Sequence, residues 1–181
     1  MGSSEIRVLA RLTPHDVEEL ADILVDCVEG GASVSFMLPI TRERARAFWS
    51  SAAASLERGE RIVIVAHDAQ GYAGTVQILL DQPENQPHRG DLAKMLVRRR
   101  ARGQGLGAAL LRAAESQALR AGKALLVLDT ANPDAERLYE RGGWQACGVI
   151  PNYALMPDGT YAATRLYCKQ LAPLPAWQPG P

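Results

Sequence analysis

The sequence predicts an α/β fold of the α+β kind, in which helices flank one sheet that is partly antiparallel and partly parallel. Short apolar runs typical of strands alternate along the chain with apolar stripes of period 3.6 that are typical of helices. Two neighbouring apolar runs are joined by the turn "DAQG", which makes the start of the sheet antiparallel. Further on, a strand, a glycine-rich turn and a helix lead into another strand, and such a unit pairs its strands in parallel with a right-handed crossing.

The first half of the chain predicts one strand, two helices and a hairpin. Residues 5–11 alternate as in a strand, and Thr13 then caps a helix that has Pro14 at its first position. The apolar stripe of this helix stops at the glycine pair 30–31, and Thr41 caps a second helix. The two strands of the hairpin are the segments "RIVIVAH" and "YAGTVQILL".

The second half predicts four strands and two helices. A strand over 91–97 leads through the glycine-rich turn into a long helix over 105–121. Asn132 and Pro133 open a short helix that continues to Arg141. The remaining strands are "KALLVLD", "WQACGVI" and "ATRLYCKQL", with a loop over 151–160 between the last two.

Length and charge indicate one globular domain without a polyanionic partner. The 181 residues suit a single domain, which we expect to span 1–171, while the proline-rich tail 172–181 is expected to be loose. The 20 basic and 20 acidic residues balance, so no net field favours nucleic acid or a membrane surface as a partner. No apolar run approaches the roughly 20 residues of a membrane span.

Cysteine and histidine usage predicts a reduced protein without a metal. Cys27, Cys147 and Cys168 are odd in number and distant in sequence, which is typical of free thiols in a cytoplasmic protein. The three histidines show no spacing typical of metal ligands, so we expect no metal site. The nucleophile elbow of serine hydrolases and the P-loop of nucleotide hydrolases are both absent from the sequence.

The segment "KMLVRRRARGQGLGAALL", residues 94–111, predicts an anion site at the start of a helix. Gly103, Gly105 and Gly107 allow backbone amides to approach a ligand, and a helix N-terminus carries about half a positive charge. The expected anion is a phosphate. A dinucleotide is one candidate, because Asp129 lies 22 positions after Gly107 and would suit a ribose. The GxGxG spacing and the position after a fourth strand argue against it.

Two motifs around this turn resemble those of the GNAT superfamily of N-acetyltransferases. The segment "RGQGLG" at 102–107 has that family's arginine-x-x-glycine-x-glycine pattern, and "NPDAERLYERGGW" at 132–144 is similar to its asparagine-to-aromatic segment. Segments 30–37 and 153–171 are similar to the tabtoxin-resistance acetyltransferases, which acetylate an amino group of a small toxin. The resemblance implies the acyl-CoA N-acyltransferase fold, with acetyl-CoA as cosubstrate.

The resemblance implies that the turn amides bind the pyrophosphate of acetyl-CoA and that the preceding strand pairs with its pantetheine arm. The backbone N–H of Val97 would polarise the acetyl carbonyl, an interaction worth roughly 3 kcal/mol in analogous enzymes. Arg98, Arg99 and Arg100 either meet the ribose phosphate or are solvated. The implied cofactor-binding residues are Met95, Leu96, Val97, Arg102, Gly103, Gln104, Gly105, Leu106, Gly107, Asn132 and Tyr139.

Tyr139 is implied as the group beside the leaving sulfur. A phenol of pKa about 10 giving its proton to a thiolate of about 8.5 is uphill by roughly 2 kcal/mol, so we expect a hydrogen bond to the sulfur. Asp129 and Asp91 are alternative acceptors of the substrate's ammonium proton, directly or through water, and either could instead only bind the ammonium. The tabtoxin-type relatives carry a glutamate at the place of Asp91. The shorter side chain of the aspartate argues against direct proton transfer by this residue. Asn132 could cap its helix, touch pantetheine, or do both.

Two loops, 30–37 and 151–160, are expected to border the acceptor pocket. The working hypothesis is an acetyl-CoA-dependent N-acetyltransferase that acts on a small amine, such as a toxin or antibiotic-like amino acid, by direct attack in a ternary complex. The alternatives are a non-catalytic acyl-CoA sensor and a dinucleotide-binding oxidoreductase. A protein lysine as acceptor, the choice of base and a homodimer stay open. The expected acceptor contacts are Ser33, Ser35, Tyr153 and Asp158.

Overall fold

The structure is a computed structural model that describes residues 4–174, in which seven strands form one sheet flanked by four helices. Of the tail predicted to be loose, residues 175–181 lie outside the described residues. In chain order the elements are β1 (Glu5–Leu9), α1 (Pro14–Glu29), α2 (Arg42–Glu57), β2 (Arg61–Asp68), β3 (Gly71–Leu79), β4 (Arg89–Val97), α3 (Leu106–Arg120), β5 (Leu125–Thr130), α4 (Pro133–Arg141), β6 (Gln145–Leu155) and β7 (Tyr161–Gln170).

The sheet is mixed, as the sequence predicts. Its strands lie in the order β1-β2-β3-β4-β5-β7-β6, and the first four are antiparallel to their neighbours. β4 and β5 are parallel, with α3 as the connection between them. β7 lies between β5 and β6 and is antiparallel to both. The predicted fold class, order of elements, hairpin and parallel unit are therefore confirmed.

The first two helices begin where their caps predict. Thr13 Oγ1 accepts a hydrogen bond from the Asp16 backbone N–H at 3.2 Å, and Asp16 Oδ2 accepts one from the Thr13 N–H at 2.7 Å. Thr41 Oγ1 accepts from the Arg44 N–H in the same way, at 3.2 Å. These bonds satisfy amides that have no partner inside a helix, which is why local sequence is enough to locate both starts.

The sheet separates two apolar cores. α1 and α2 cover one face, where Trp49, Val63 and Val65 are fully buried. α3 covers the other face, where Ile64 and Leu110 are fully buried. Successive side chains of β2 serve opposite cores because a strand turns alternate side chains to opposite faces.

β4 and β5 are paired at one end only. Register pairs join residues 89–91 to residues 125–127, and no further pair follows between the two strands. On its other side β4 carries a bulge, in which Lys94 and Met95 oppose Val76 alone. The parallel pair therefore opens into a cleft toward its carboxyl ends, the usual position of a ligand site in such sheets.

The last hairpin differs most from the sequence prediction. β6 continues to Leu155, so the loop predicted over 151–160 is reduced to residues 156–160. Pro151 and Asn152 interrupt the run but lie in an irregular stretch of pairing between Ile150 and Ala154, where a missing N–H costs no ladder bond. Because prolines are rare inside strands, the sequence prediction ended β6 before Pro151 and assigned its second half to the loop. At the start of the chain, β1 ends at Leu9 and not at residue 11.

Two of the three cysteines meet in space although they are distant in sequence. Cys147 and Cys168 lie on the paired strands β6 and β7, with their sulfur atoms 3.1 Å apart as free thiols. Cys27 lies on the buried face of α1, and burial raises the pKa of its thiol. A cross-strand contact of this kind depends on register and bulges, which sequence spacing does not show.

Candidate active site

The three alternating glycines have two different structural roles. Gly103 and Gly105 have φ angles of +73° and +79°, which favour glycine, and added Cβ atoms there would meet nothing within 4 Å. Gly107 lies inside α3, where a Cβ would come within 3.2 Å of Leu138 Cδ2, so this glycine allows α3 to pack against α4. The amides of residues 103–107 donate to no backbone carbonyl among the described residues. The turn therefore presents free N–H groups to open space at the start of a helix, as anion sites do.

Carboxylates pair with three of the four arginines before the turn, although Arg99 and Arg100 stay exposed to solvent. Arg102 differs, since no carboxylate of residues 4–174 lies within salt-bridge distance of it and its Nε donates to a carbonyl at 3.2 Å. The ion pairs are Arg98 with Glu19 and Asp22 (3.9 Å each), Arg99 with Asp26 (2.9 Å) and Arg100 with Asp68 (2.5 Å).

The backbone of Val97 faces away from β3. The Arg98 N–H donates to the Ala73 carbonyl, and in an antiparallel ladder the neighbouring residue turns its N–H and C=O to the opposite side. Accordingly, the Val97 carbonyl accepts from Arg102 Nε at 3.2 Å and from Cys27 Sγ at 3.5 Å. The Val97 N–H points to the same side as its carbonyl, which is the open side of β4.

A pocket of about 180 Å³ lies between the splayed ends of β4 and β5. It is bordered by the loop after α1, the bulge of β4, the end of β5 and the start of α4. The Leu96 side chain is buried in the core below α1 and α2, so only its backbone is available to a ligand. The residues predicted from the sequence that line this pocket are Ser33, Ser35, Met95, Asp129, Asn132 and Tyr139.

Tyr139 holds its hydroxyl at the pocket from a packed position in α4. The residue is 4% exposed, and its ring lies 5.7 Å from Trp144 and 5.9 Å from Tyr167, measured between ring centroids. Its hydroxyl has no hydrogen-bond partner among the described residues, while the residue lines the pocket. Burial, and to a smaller degree the charge of Asp129, raise the pKa of Tyr139. The phenol is therefore a hydrogen-bond donor to a ligand and a poor source of a proton.

The two candidate carboxylates occupy different surroundings. Asp129 lines the pocket and accepts a hydrogen bond from Thr164 Oγ1 at 2.8 Å, and no described cation pairs with it. Asp91 lies where β4 and β5 are still paired, and its Oδ1 is 3.6 Å from an Arg89 nitrogen. Asp91 does not line the pocket. The structure thus brings Asp129 together with Tyr139 and leaves Asp91 outside.

The two loops expected beside the acceptor contribute unequally to the lining of the pocket. Ser33 and Ser35 line the pocket, whereas Tyr153 and Asp158 do not. Tyr153 is 52% exposed on β6, and Asp158 accepts hydrogen bonds from Thr160 within its own turn. The loops do touch, since the Leu38 N–H donates to the Pro157 carbonyl at 3.0 Å.

Asn132 and Lys94 add polar groups to the lining of the pocket. Asn132 caps α4, because its Oδ1 accepts from the Asp134 N–H at 2.8 Å, and it also lines the pocket. Lys94 lines the pocket as well, and sequence reasoning missed it. The available signal was a lysine inside an otherwise apolar strand end, "LAKMLV". Within residues 4–174 no group of three or more metal-binding side chains converges, and no helix there is long and apolar enough to cross a membrane.

The mixed sheet, its splayed parallel pair and the free amides before α3 define an acyltransferase architecture. The model of the acetyltransferase (GNAT) family matches residues 18–144, well over half of the chain. The chain belongs to this family and is an N-acetyltransferase by class. The family resemblance inferred from the two motifs is therefore confirmed, and the dinucleotide-binding oxidoreductase is the wrong alternative.

Solved structures share this fold over nearly the whole chain. A candidate acetyltransferase from Salmonella typhimurium, solved with its cofactor acetyl-CoA, has a TM-score of 0.80 and 17% identity, covering 97% of this chain and 98% of its own. A candidate phosphinothricin N-acetyltransferase has a TM-score of 0.77 and 22% identity, covering 94% and 100%. A GNAT-family acetyltransferase from Streptococcus pneumoniae has a TM-score of 0.71 and 26% identity, covering 92% and 99%.

Proposed function

We propose that this protein transfers the acetyl group of acetyl-CoA to the amine of a small molecule, by direct attack in a ternary complex. The observation that carries the proposal is the arrangement around β4: the free amides of residues 103–107 follow its end, and Tyr139 and Asp129 line the pocket where it splays from β5. The similar fold from Salmonella typhimurium holds acetyl-CoA. The proposed catalytic domain spans residues 1–171, and its unbridged thiols support a cytoplasmic location.

The chain's own residues fit this cosubstrate. The amides of 103–107 and the guanidinium of Arg102 would bind the pyrophosphate, since both present donors without a carboxylate partner among the described residues. Met95 and Asn132 line the pocket itself, where the acetyl end of the cosubstrate would lie. When bound, acetyl-CoA supplies the acetyl thioester that the amine attacks.

Two donors would serve the charges that develop during transfer. The Val97 N–H, on the open side of β4, would donate to the acetyl oxygen, an interaction worth roughly 3 kcal/mol where such donors have been removed from other enzymes. The Tyr139 hydroxyl would donate to the leaving sulfur. Because burial raises the pKa of Tyr139, the hydroxyl keeps its proton and stabilises the sulfur by hydrogen bonding.

Asp129 is the proposed acceptor of the ammonium proton. It is the carboxylate that lines the pocket, and Thr164 orients it through one oxygen while the other has no hydrogen-bond partner among residues 4–174. General-base assistance of this kind contributes typically about 100-fold or more to a rate. Asp91 is the second candidate, and its contact with Arg89 away from the pocket makes it the weaker one.

A pocket of about 180 Å³ can hold a small amine, which is the preferred acceptor, and a protein lysine stays the alternative acceptor. Acetylation of a toxin or antibiotic-like amino acid is the preferred form of the proposal. Two likenesses support it: the sequence segments shared with tabtoxin-resistance acetyltransferases, and the fold shared with a candidate phosphinothricin N-acetyltransferase.

Isothermal titration with acetyl-CoA, with NAD and NADP as controls, tests the cosubstrate. We expect micromolar binding of acetyl-CoA and no dinucleotide signal. A screen of amines with coenzyme release as the readout then tests turnover, beginning with tabtoxin-like amino acids and phosphinothricin. Binding without turnover of any amine would favour the non-catalytic sensor, and absence of acetyl-CoA binding would remove the proposal.

The change Asp129→Asn tests whether Asp129 or Asp91 is the general base. It keeps the acceptor for Thr164 and removes the base, so kcat/KM near neutral pH should fall by about 100-fold. The loss should shrink as the pH approaches the pKa of the amine, because more substrate is then already neutral. The pH dependence of kcat/KM is the measurement, and Asp91→Asn is the matched variant. An equal or larger loss in Asp91→Asn would assign the base to Asp91.

A further inference from the structure

Lys94 occupies a strained position in the lining of the pocket. It lies in the β4 bulge with φ of +50°, a conformation that side chains rarely adopt. Three non-glycine residues among 4–174 have positive φ, and two of them, Ser35 and Lys94, face each other across the pocket. Their side chains meet with Lys94 Nζ 3.5 Å from Ser35 Oγ. Strained backbone of this kind clusters at functional sites.

The ammonium of Lys94 lacks a counter-ion. No carboxylate of the described residues lies within salt-bridge distance, in contrast to Lys169, which is 2.7 Å from Glu115. The Lys94 ammonium lies over the ring of Phe48, 5.4 Å from its centroid, and is half-buried. Burial lowers the pKa of Lys94, and the attraction of Asp129 works in the opposite direction. An anion that entered the pocket would find a poorly hydrated cation with unused donors.

The pocket therefore carries one charge of each sign. Lys94 supplies the positive charge and Asp129 the negative charge, and both line the same small volume. Asp129 is placed for the ammonium of an acceptor, which leaves Lys94 for an anionic group on the same molecule. An amine without such a group would leave the Lys94 charge buried and unpaired, and that state is unfavourable.

We propose that Lys94 binds an anionic oxygen group of the acceptor, so that the enzyme selects zwitterions of the amino acid type over plain amines. This inference rests on the proposed function and gives Lys94 a specificity role in the same pocket. The carboxylate next to the amine and an acidic side-chain group such as a phosphinate share the chemistry that Lys94 would recognise. The donor would be Nζ, with Ser35 Oγ as a neighbouring donor to the same group.

Paired acceptors test this role in turnover. Methionine and methioninamide differ in the carboxylate and are compared at a pH above the pKa of both amines, because amidation also lowers the pKa of the amine; the α-carboxamide of phosphinothricin keeps only the side-chain anion. Wild-type kcat/KM should be about 10- to 100-fold higher for whichever acceptor carries the recognised anion, with most of the difference in KM. Lys94→Met keeps the aliphatic stem over Phe48 and should close that gap, while Lys94→Arg should restore part of it. If Lys94→Met lowers kcat/KM for methionine, the recognised group is the carboxylate. If it lowers kcat/KM for the phosphinothricin carboxamide, the recognised group is the side-chain phosphinate.

A binding measurement keeps the inference separate from turnover. N-acetylphosphinothricin, which carries both candidate anions, and N-acetylmethioninamide, which carries neither, are titrated into the coenzyme A-loaded protein. Wild type should bind N-acetylphosphinothricin at least about 10-fold more tightly, and Lys94→Met should bind both alike. Equal binding of the two by wild type, or an undiminished preference in Lys94→Met, would overturn the role of Lys94 even in an active enzyme. A clear preference without turnover of any amine would retain it and reject the proposed reaction instead.

Discussion

Replacing Gly105 with aspartate is expected to abolish binding of acetyl-CoA while the protein stays folded. The new carboxylate would lie at the head of α3, beside the free amides of residues 103–107. Two like charges about 4 Å apart repel by about 4 kcal/mol at an effective dielectric constant of 20, and salt reduces this. We therefore expect the dissociation constant for acetyl-CoA to rise by at least about 100-fold, as measured by isothermal titration.

The matched control is Gly105→Asn, which separates the effect of the new negative charge from the effect of backbone strain on binding of acetyl-CoA. Gly105 has φ of +79°, and asparagine and aspartate tolerate this conformation better than other side chains. Both variants have open space for the side chain, and a negative charge near a helix N-terminus is stabilising by itself. Both should melt close to wild type, with the asparagine variant keeping most of its affinity. Unchanged affinity in a folded aspartate variant would contradict the assignment of this turn to the pyrophosphate.

Removing the hydroxyl of Tyr139 is expected to lower kcat by about 10- to 100-fold and leave the affinity for acetyl-CoA nearly unchanged. A hydrogen bond to a charged group contributes about 1.5–3 kcal/mol, which corresponds to this range. Tyr139→Phe keeps the ring that packs between Trp144 and Tyr167. Single-turnover kinetics would measure the loss in the chemical step. Full retention of turnover would show that the hydroxyl has no part in transfer.

Tyr167→Phe provides the control one ring away. Its hydroxyl donates to Glu140 Oε1 at 3.0 Å and does not line the pocket, so its loss should leave kcat unchanged.

The pH profile of kcat adds a second check on Tyr139. Since burial raises the pKa of Tyr139 above its usual value of about 10, kcat of the wild type should show no decline from this group up to about pH 10. A decline of kcat that begins below pH 9 and disappears in Tyr139→Phe would contradict the raised pKa of Tyr139.

The candidate site was partly readable from the sequence because some of its signals are local. The glycine turn depends on residues 103–107 alone, and its free amides lie where the spacing predicts. Asn132 and Tyr139 belong to one short helix, so their common position at the pocket follows from a single segment. Motifs of this kind carry their geometry with them, because neighbours along a helix or turn have fixed relative positions.

The rest of the site depends on contacts between distant segments. The sequence left Asp91 and Asp129 as alternatives, and only the splay of β4 from β5 places one at the pocket and the other beside Arg89. Arg98 to Arg100 are held by carboxylates from α1 and β2, which no spacing near the turn indicates. Lys94 enters the pocket through a bulge against β3 that the strand pattern does not reveal.

The sequence by itself determined the mixed sheet, the starts of the first helices, the glycine turn with its free amides and the family. Caps, alternation and glycine spacing are short-range features, and their energies act within a few residues. The tertiary structure alone decided which charges face the pocket, how far β6 extends, and that Cys147 meets Cys168. Those outcomes follow from register, bulges and strand splay, because a shift of one residue in pairing sends a side chain to the other face of the sheet.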